Sequence, residues 1–473
     1  MTRYEQLAQD IKRQISQKVW RSGEKIPSVR VSCKSTGYSI ATVLQAYQLL
    51  ESQGWVTAKP QSGYFVAPQI ENLLSPQASS SSTKPKQINI NDQLFDVLQR
   101  NKQQDMVPLG SAFPDPSLFP QQALARNLAS ASRKMPENSA IINMPPGSES
   151  LRRNIAQRYA QQGLSVSPDD IVITSGAMEA LSLSLQAVTK PGDLVVIESP
   201  TFYGALQTIE RLNLRAVEIP THPLEGIDLI ALEKALTELP IKACWLMTNF
   251  QNPLGFCMSD HAKQSLVELL HHHQTPLIED DVYAELFFSP DKPKPAKAFD
   301  QHDDVLLCGS FSKCLSPGFR IGWVVAGQRS ETIQRFQLMS TLSSSVPIQL
   351  GISHYLQFGS FDAHLRKLRR KLEQHKHQML AAIRTYFPDS ISVTDPSGGY
   401  FIWIEFGGHF DCSHFYEQAL QSQIAVAPGT LFSSDNQGSK HIRINYSYPC
   451  EGRILNAIIE LGRLAHLTLN KPE

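Results

Sequence analysis

Apolar residues recur every four positions near the start of the chain. Leu7, Ile11 and Ile15 fall on one side with Tyr4, and this spacing predicts an amphipathic helix over 4–18. In IPSVRVSCKSTG, Ser28 offers an N-cap and Gly37 a left-handed stop, which bounds a short second helix. Ser39 opens a third helix that turns Val43, Tyr47 and Leu50 inward. Two brief β runs, WVTA and YFVAP, flank the loop Lys59-Pro60-Gln61-Ser62-Gly63 and read as a hairpin wing. Two short helices joined across a glycine turn have helix-turn-helix geometry, although a small packing module has the same periodicity.

From about residue 150 the pattern changes. Five short, continuously apolar runs appear: IVIT (171–174), LVVIE (194–198), ACWLMT (243–248), TPLIE (275–279) and VLLCGS (305–310). Helix-period stretches separate them, so they read as strands covered on both faces in a mostly parallel α/β sheet. Ligands in such sheets bind beyond the carboxyl ends of the strands. Polar chemistry follows every run. Ser175-Gly176-Ala177 opens a helix, an arrangement that suits an anion as well as a plain tight turn. Phe202 and Tyr203 come after the second run, and Asn249 to Gly255, with Asn252 before a proline, after the third. Asp280, Asp281 and Tyr283 follow the fourth; a carboxylate there needs a partner, because an unpaired buried charge is costly. Ser310, Ser312 and Lys313 follow the fifth, with Arg320 close behind. A lysine at a central strand end reads as a Schiff-base nucleophile whose pKa burial lowers. A phosphate cup, an aromatic plate, an acid, a phenol and a lysine together meet the needs of pyridoxal 5′-phosphate (PLP).

Charge supports two parts of different kind. The 473 residues carry 44 basic and 44 acidic side chains, but residues 1–68 hold nine Lys/Arg against four acids, net +5, and the remainder is net −5. A basic head on an acidic body fits a nucleic-acid reader tethered to something else. The serine-rich segment 71–88 between them reads as a flexible linker. The expected domains are a head at 1–68, a linker at 69–104 and a body at 105–473, with a smaller α+β subdomain from about 345. No apolar run is long enough for a membrane helix. The N-terminus lacks an apolar signal segment, and the seven scattered cysteines include no CxxC pair, so a cytoplasmic protein with reduced thiols and no metal site is expected. His271-His272-His273 ends a helix and suits its dipole without a metal. The run LRKLRRKLEQHKH (365–377) has the composition of a solvated helix face.

Particular blocks carry two resemblances. YEQLAQDIKRQI, GEKIPSVR, TVLQAYQLLESQGW and SGYFV resemble the GntR-type winged-helix DNA-binding domain. This resemblance implies double-stranded DNA as a partner, met through Arg30, Ser39, Thr42, Gln61 and Gly63. The chain departs from that family at Ile40, where an arginine is common, and at Ser32, where a leucine is usual. TSGAMEAL, ESPTFYG, NFQNPLG, IEDDVYAEL, SFSKCLSPGFRIGW, PSGGYF and HIRINYS resemble the fold-type I aminotransferases across about 105–460. That resemblance implies PLP as cofactor, with Lys313 as Schiff-base lysine and Asp280 on the ring nitrogen. Asn252 and Tyr283 would hold the 3-oxygen and Phe202 would stack on the ring. Ser175, Gly176, Ala177, Ser310, Ser312 and Arg320 would surround the phosphate, and Arg443 would pair with an amino-acid carboxylate. Ile142 stands where that family often has a phosphate-binding tyrosine. The combination resembles the MocR subgroup of GntR regulators. It implies a homodimeric transcription regulator that senses a small amine, an amino acid or PLP itself. The alternative is a working aminotransferase with an accessory head.

Overall fold

The computed structural model describes residues 2–469 apart from 18, 22, 60–61, 68–73, 80–82, 91–93, 96, 98, 100–104, 409 and 435–438. The chain divides into two compact units, one of 1–74, 370–391 and 446–473, the other of 75–369 and 392–445. The head therefore shares its unit with two stretches of the expected body.

In the first unit, α1 (Arg3–Ser16), α2 (Val29–Thr36) and α3 (Ile40–Ser52) precede β1 (Val56–Lys59) and β2 (Gly63–Val66). The first helix ends two residues earlier than its periodicity suggests. Ser28 caps α2, and Gly37 closes it at φ 72°, its N–H donating to the Cys33 carbonyl at 3.0 Å. Ser39 caps α3 by accepting from the Thr42 N–H at 3.2 Å. Val43, Ala46, Tyr47 and Leu50 turn inward to meet Leu7, Ile11 and Ile15 in one core. Ser32 is buried there and lies 2.7 Å from the Tyr47 hydroxyl, which also reaches the Pro27 carbonyl at 2.6 Å. The polar residue in the place of a leucine is thus fully paired. The wing is an antiparallel hairpin in which Lys59 faces Gly63.

In the second unit, β3 (Lys86–Gln87), β4 (Ile171–Thr174), β5 (Leu194–Ser199), β6 (Arg215–His222), β7 (Gly226–Ile227), β8 (Ile241–Leu246), β9 (Leu277–Asp280), β10 (Val305–Ser310) and β11 (Gly322–Val325) share one sheet. Its order is β3-β6-β5-β8-β9-β10-β11-β4, with β7 beside β6. The five apolar runs are β4, β5, β8, β9 and β10. Strands β5, β6, β8, β9 and β10 run parallel, whereas β11 is antiparallel to both β10 and β4. Two reversals leave β4 pointing with the parallel set, so its carboxyl end joins theirs. Gly322 of β11 faces both Ser310 and Thr174. A Cβ on it would lie 2.5 Å from the Gly176 carbonyl carbon and 2.6 Å from the Ala177 nitrogen, so only glycine allows that approach. A second, antiparallel sheet holds β12 (Ser392–Val393), β13 (Phe401–Glu405), β14 (Ala427–Pro428) and β15 (His441–Asn445) in the order β12-β13-β15-β14.

Two expectations need correction. The described part of the linker does not stand free of the body. Lys86 and Gln87 pair with β6, Lys86 meets buried Glu218 at 2.9 Å, and Ile88 and Ile90 enter the main core. The serines hid an apolar alternation that starts just after them. The basic run 365–377 lies in the helix Phe361–Tyr386, but Leu365, Leu368 and Leu372 are buried on one face and His375 and Lys376 are buried as well. Its leucines, three and four apart, give the helix an inner side that the charge count obscured. Among the described residues no helix is long and apolar enough to cross a membrane, and no group of side chains could hold a metal ion. The seven cysteines are free, and His271 is paired to Asp304 at 2.7 Å.

Candidate functional site

The carboxyl ends of β9 and β10 and one strand of the smaller sheet deliver the ionisable groups. Asp280 is the last residue of β9, and Lys313 follows three residues after β10. The Lys313 ammonium donates to the Ala112 carbonyl at 2.8 Å and lies 5.2 Å from the ring of Phe113 and 5.8 Å from that of Tyr283. Burial, aided by the positive charges of Arg443 and Arg320, brings its pKa down to about 7; Asp280 opposes this in part. Burial likewise raises the Asp280 carboxyl to about 7, against a hydrogen bond from the Val282 N–H and the charge of Lys313. One oxygen of Asp280 is buried without a hydrogen-bond partner.

Tyr283 is buried edge-on to Tyr400, their rings 5.4 Å apart, and burial raises its phenol pKa. The Tyr400 hydroxyl donates to the same Ala112 carbonyl at 3.0 Å. Arg443, in the middle of β15, is fully buried between Phe401 at 4.1 Å and Phe432 at 5.0 Å. It donates to the Asn252 side-chain oxygen at 2.8 Å and to the Gly110 carbonyl at 2.7 Å. Its Nε and the Asn252 Nδ2 are buried without partners. Burial lowers the pKa of this arginine, and the nearby tyrosines counteract that.

The small-residue loop is held by the same region. Gly176, at φ 98°, precedes the helix Ala177–Val188. A Cβ there would lie 2.4 Å from an Arg320 guanidinium nitrogen, so glycine is what lets the cation in. Arg320 donates to the Ser312 hydroxyl at 3.5 Å and to the Ser175 carbonyl at 3.4 Å. The Ser312 N–H donates to the Ser310 hydroxyl at 2.9 Å. The Ser175 N–H is taken by the Glu179 carboxylate at 2.5 Å, so that donor is already engaged. Phe202 is half-buried, its ring 4.7 Å from that of Tyr203. Ile142 is exposed at the end of the helix Ser139–Ile142.

Buried polar atoms with no partner are costly, and here they sit on an acid, an amide and a guanidinium. A polar ligand with a cationic ring nitrogen, an oxygen acceptor and an anionic group completes that set. These residues therefore fit PLP. The sequence reading missed the 110–113 loop and Tyr400. The loop's contribution is two backbone carbonyls and one phenyl ring, and no motif marks those.

In the head, Arg30 is exposed on the first turn of α2 and Thr42 is half-buried, its hydroxyl 2.9 Å from that of Ser39. Gly63 has φ 101° beside the Lys25 side chain. Gln61 lies outside the described residues.

A three-helix winged head and a sheet whose carboxyl ends collect a lysine, an acid, a phenol and an arginine define a DNA-reader module combined with an aminotransferase-type body. Comparison with known proteins agrees. Residues 3–66 match the bacterial regulatory proteins of the gntR family and residues 104–454 match the class I and II aminotransferases. The chain belongs to the bacterial regulators that combine these two modules. It is 50% identical over 465 residues to the HTH-type transcriptional regulator YdcR of Escherichia coli (strain K12), covering 98% of this chain and 99% of that one. It is 36% identical over 469 residues to YjiR, another HTH-type transcriptional regulator of that strain, again covering 98% and 99%. Among solved structures, the kynurenine aminotransferase of Pyrococcus horikoshii, in complex with PMP, superposes with a TM-score of 0.75. It is 29% identical over 80% of this chain and 95% of that one.

Proposed function

We propose that this protein is a DNA-binding transcription regulator whose aminotransferase-like body holds PLP and senses a small amine or amino acid. The observation that carries the reading is the buried, unpartnered Asp280 oxygen near the Lys313 ammonium. When bound, PLP supplies an electrophilic aldehyde and an electron-withdrawing ring. Lys313, with a pKa near 7, offers an amine lone pair at neutral pH. Asp280 would hold a proton on the ring nitrogen, and Asn252 and Tyr283 would bind the 3-oxygen. Phe202 would cover the ring, while Arg320, Ser310, Ser312 and the 175–177 loop would bind the phosphate. The planar fork of Arg443 suits an effector carboxylate. Arg30, Ser39, Thr42 and the wing at Gln61 and Gly63 meet duplex DNA. Residues 1–68 act as the reader and 105–473 as the sensor. A homodimer in the cytoplasm completes the reading, and the family resemblance supports it.

An effector changes DNA affinity only if it binds one conformation better than another. A carboxylate that replaces the Gly110 carbonyl on Arg443 releases the 110–113 loop from that residue, which is a differential contact of that kind. The test measures operator binding of the PLP-loaded protein with a panel of amino acids and amines. Wild type responds to an effector, and Lys313→Ala and Arg443→Ala do not. A response that survives both substitutions rejects the mechanism, and rapid multiple turnover of amino and 2-oxo acids favours a working aminotransferase.

A further inference from the structure

The outward face of α3 is apolar where a DNA reader is expected to be polar. Its inward face is Val43, Ala46, Tyr47 and Leu50, all at 0% exposure. Its outward face begins with Ile40, Ala41 and Leu44, and Ile40 is 64% and Leu44 38% exposed. These are one helical turn apart, followed on the same side by exposed Gln45 and Gln48. The surroundings are cationic. Arg30 and Lys34 are exposed on α2, the first turns of α2 and α3 carry no acid, and the one acid of α3 is Glu51 at its far end. A cationic surface with an apolar centre suits a partner that is anionic at its rim and has apolar spots within.

Duplex DNA meets that description at one kind of spot. Among base edges in the major groove, the thymine 5-methyl is the apolar group; guanine, cytosine and adenine present donors or acceptors. An isoleucine or leucine opposite those polar edges would strip water from them and return no hydrogen bond. The first residues of a recognition helix are the ones that reach base edges. We propose that Ile40 and Leu44 read thymine methyl groups, so that each operator half-site carries thymines under the start of α3; this rests on the DNA-binding reading above. The four-residue rise of about 6 Å puts the two thymines about two base steps apart. Gln45 and Gln48 have the amide that pairs with adenine. Ile40, which stands where an arginine is common, thus exchanges a guanine or phosphate contact for a thymine.

The experiment selects an operator from random duplexes with the full-length protein and then replaces its thymines one at a time by deoxyuridine, which lacks only the methyl. The expected result is two thymines per half-site at each of which wild type loses affinity about fourfold, the factor for one buried methyl. Ile40→Ala should abolish the sensitivity at one of them and Leu44→Ala at the other, each substitution and base change costing no more together than singly. Both side chains are solvent-exposed, so unchanged thermal unfolding checks the fold. Selective binding that tolerates uracil at every position overturns the inference and leaves the DNA-binding reading intact. Failure to bind any duplex rejects that reading and the inference with it. A change in the mass of the DNA-free protein in Ile40→Ala assigns the patch to a protein contact instead and overturns it.

Discussion

A lysine in water keeps its proton to about pH 10. Burial and two neighbouring arginines bring Lys313 to about 7, with Asp280 offsetting part of the shift. Below that value the folded chain holds an ammonium without a lone pair, so capture of added PLP by the cofactor-free protein should quicken from pH 6 to 8 and level off above. The growth rate of the visible absorption band measures this, and Lys313→Ala should show no band. A flat rate over that range would contradict the lowered pKa. Stability follows the same proton. Between about pH 7 and 10 the unfolded chain still binds it and the folded chain does not, so unfolding free energy rises with pH across that window. Lys313→Met removes that rise, as calorimetry of the cofactor-free protein can establish. The neighbouring carboxyl, Asp280, was legible as a site residue because a carboxylate just after a buried run is conspicuous. Its missing partner was not legible, since that depends on everything packed around it.

Register and edges decide the rest at the scale of elements. Gly322 stands between β4 and β10 with no room for a side chain. Gly322→Ala should lower stability by about 1–3 kcal/mol through overpacking and weaken PLP retention, because the clash falls on the 176–177 backbone. Thermal unfolding and cofactor dialysis read the two effects. The sheet edge gives a second expectation. Trypsin should leave Lys86 uncut in the folded protein, since it is paired in β3 and bonded to Glu218. Lys86→Ala leaves a buried carboxylate with one cationic partner fewer and should cost about 1–3 kcal/mol. Cleavage after Lys86 as the first event would show that this edge strand does not persist in solution.

For the molecule as a whole, the net charge of zero conceals a head at +5 and a remainder at −5. DNA affinity should fall with salt along a log–log slope of about −0.9 per phosphate contacted. Arg30→Ala should reduce the slope by about one contact if Arg30 meets a phosphate, or leave the slope and lose about 1–3 kcal/mol if it reads a base. Titrations at several salt concentrations distinguish the two, and no change in either would remove Arg30 from the interface.

The sequence alone determined what is local. Four-residue spacing gave α1 and α3, Ser28 and Gly37 bounded α2, Ser39 capped α3, and five apolar runs gave five strands with their trailing chemistry. Each depends on neighbours a few residues away, where backbone preference and burial leave a periodic mark. Only the tertiary structure decided what is distant. The Ala112 carbonyl lies 201 residues from the lysine it meets, and the Gly110 carbonyl lies 333 from Arg443. The pairing of Ser32 with Tyr47, the reversed strand β11 and the seating of residues 86–90 on the sheet edge belong to the same class. Backbone carbonyls look alike in every sequence, and antiparallel and parallel neighbours share one apolar pattern. Long-range packing chooses among them, because burial rewards the one arrangement that fills the core and leaves its polar atoms paired or open to a ligand.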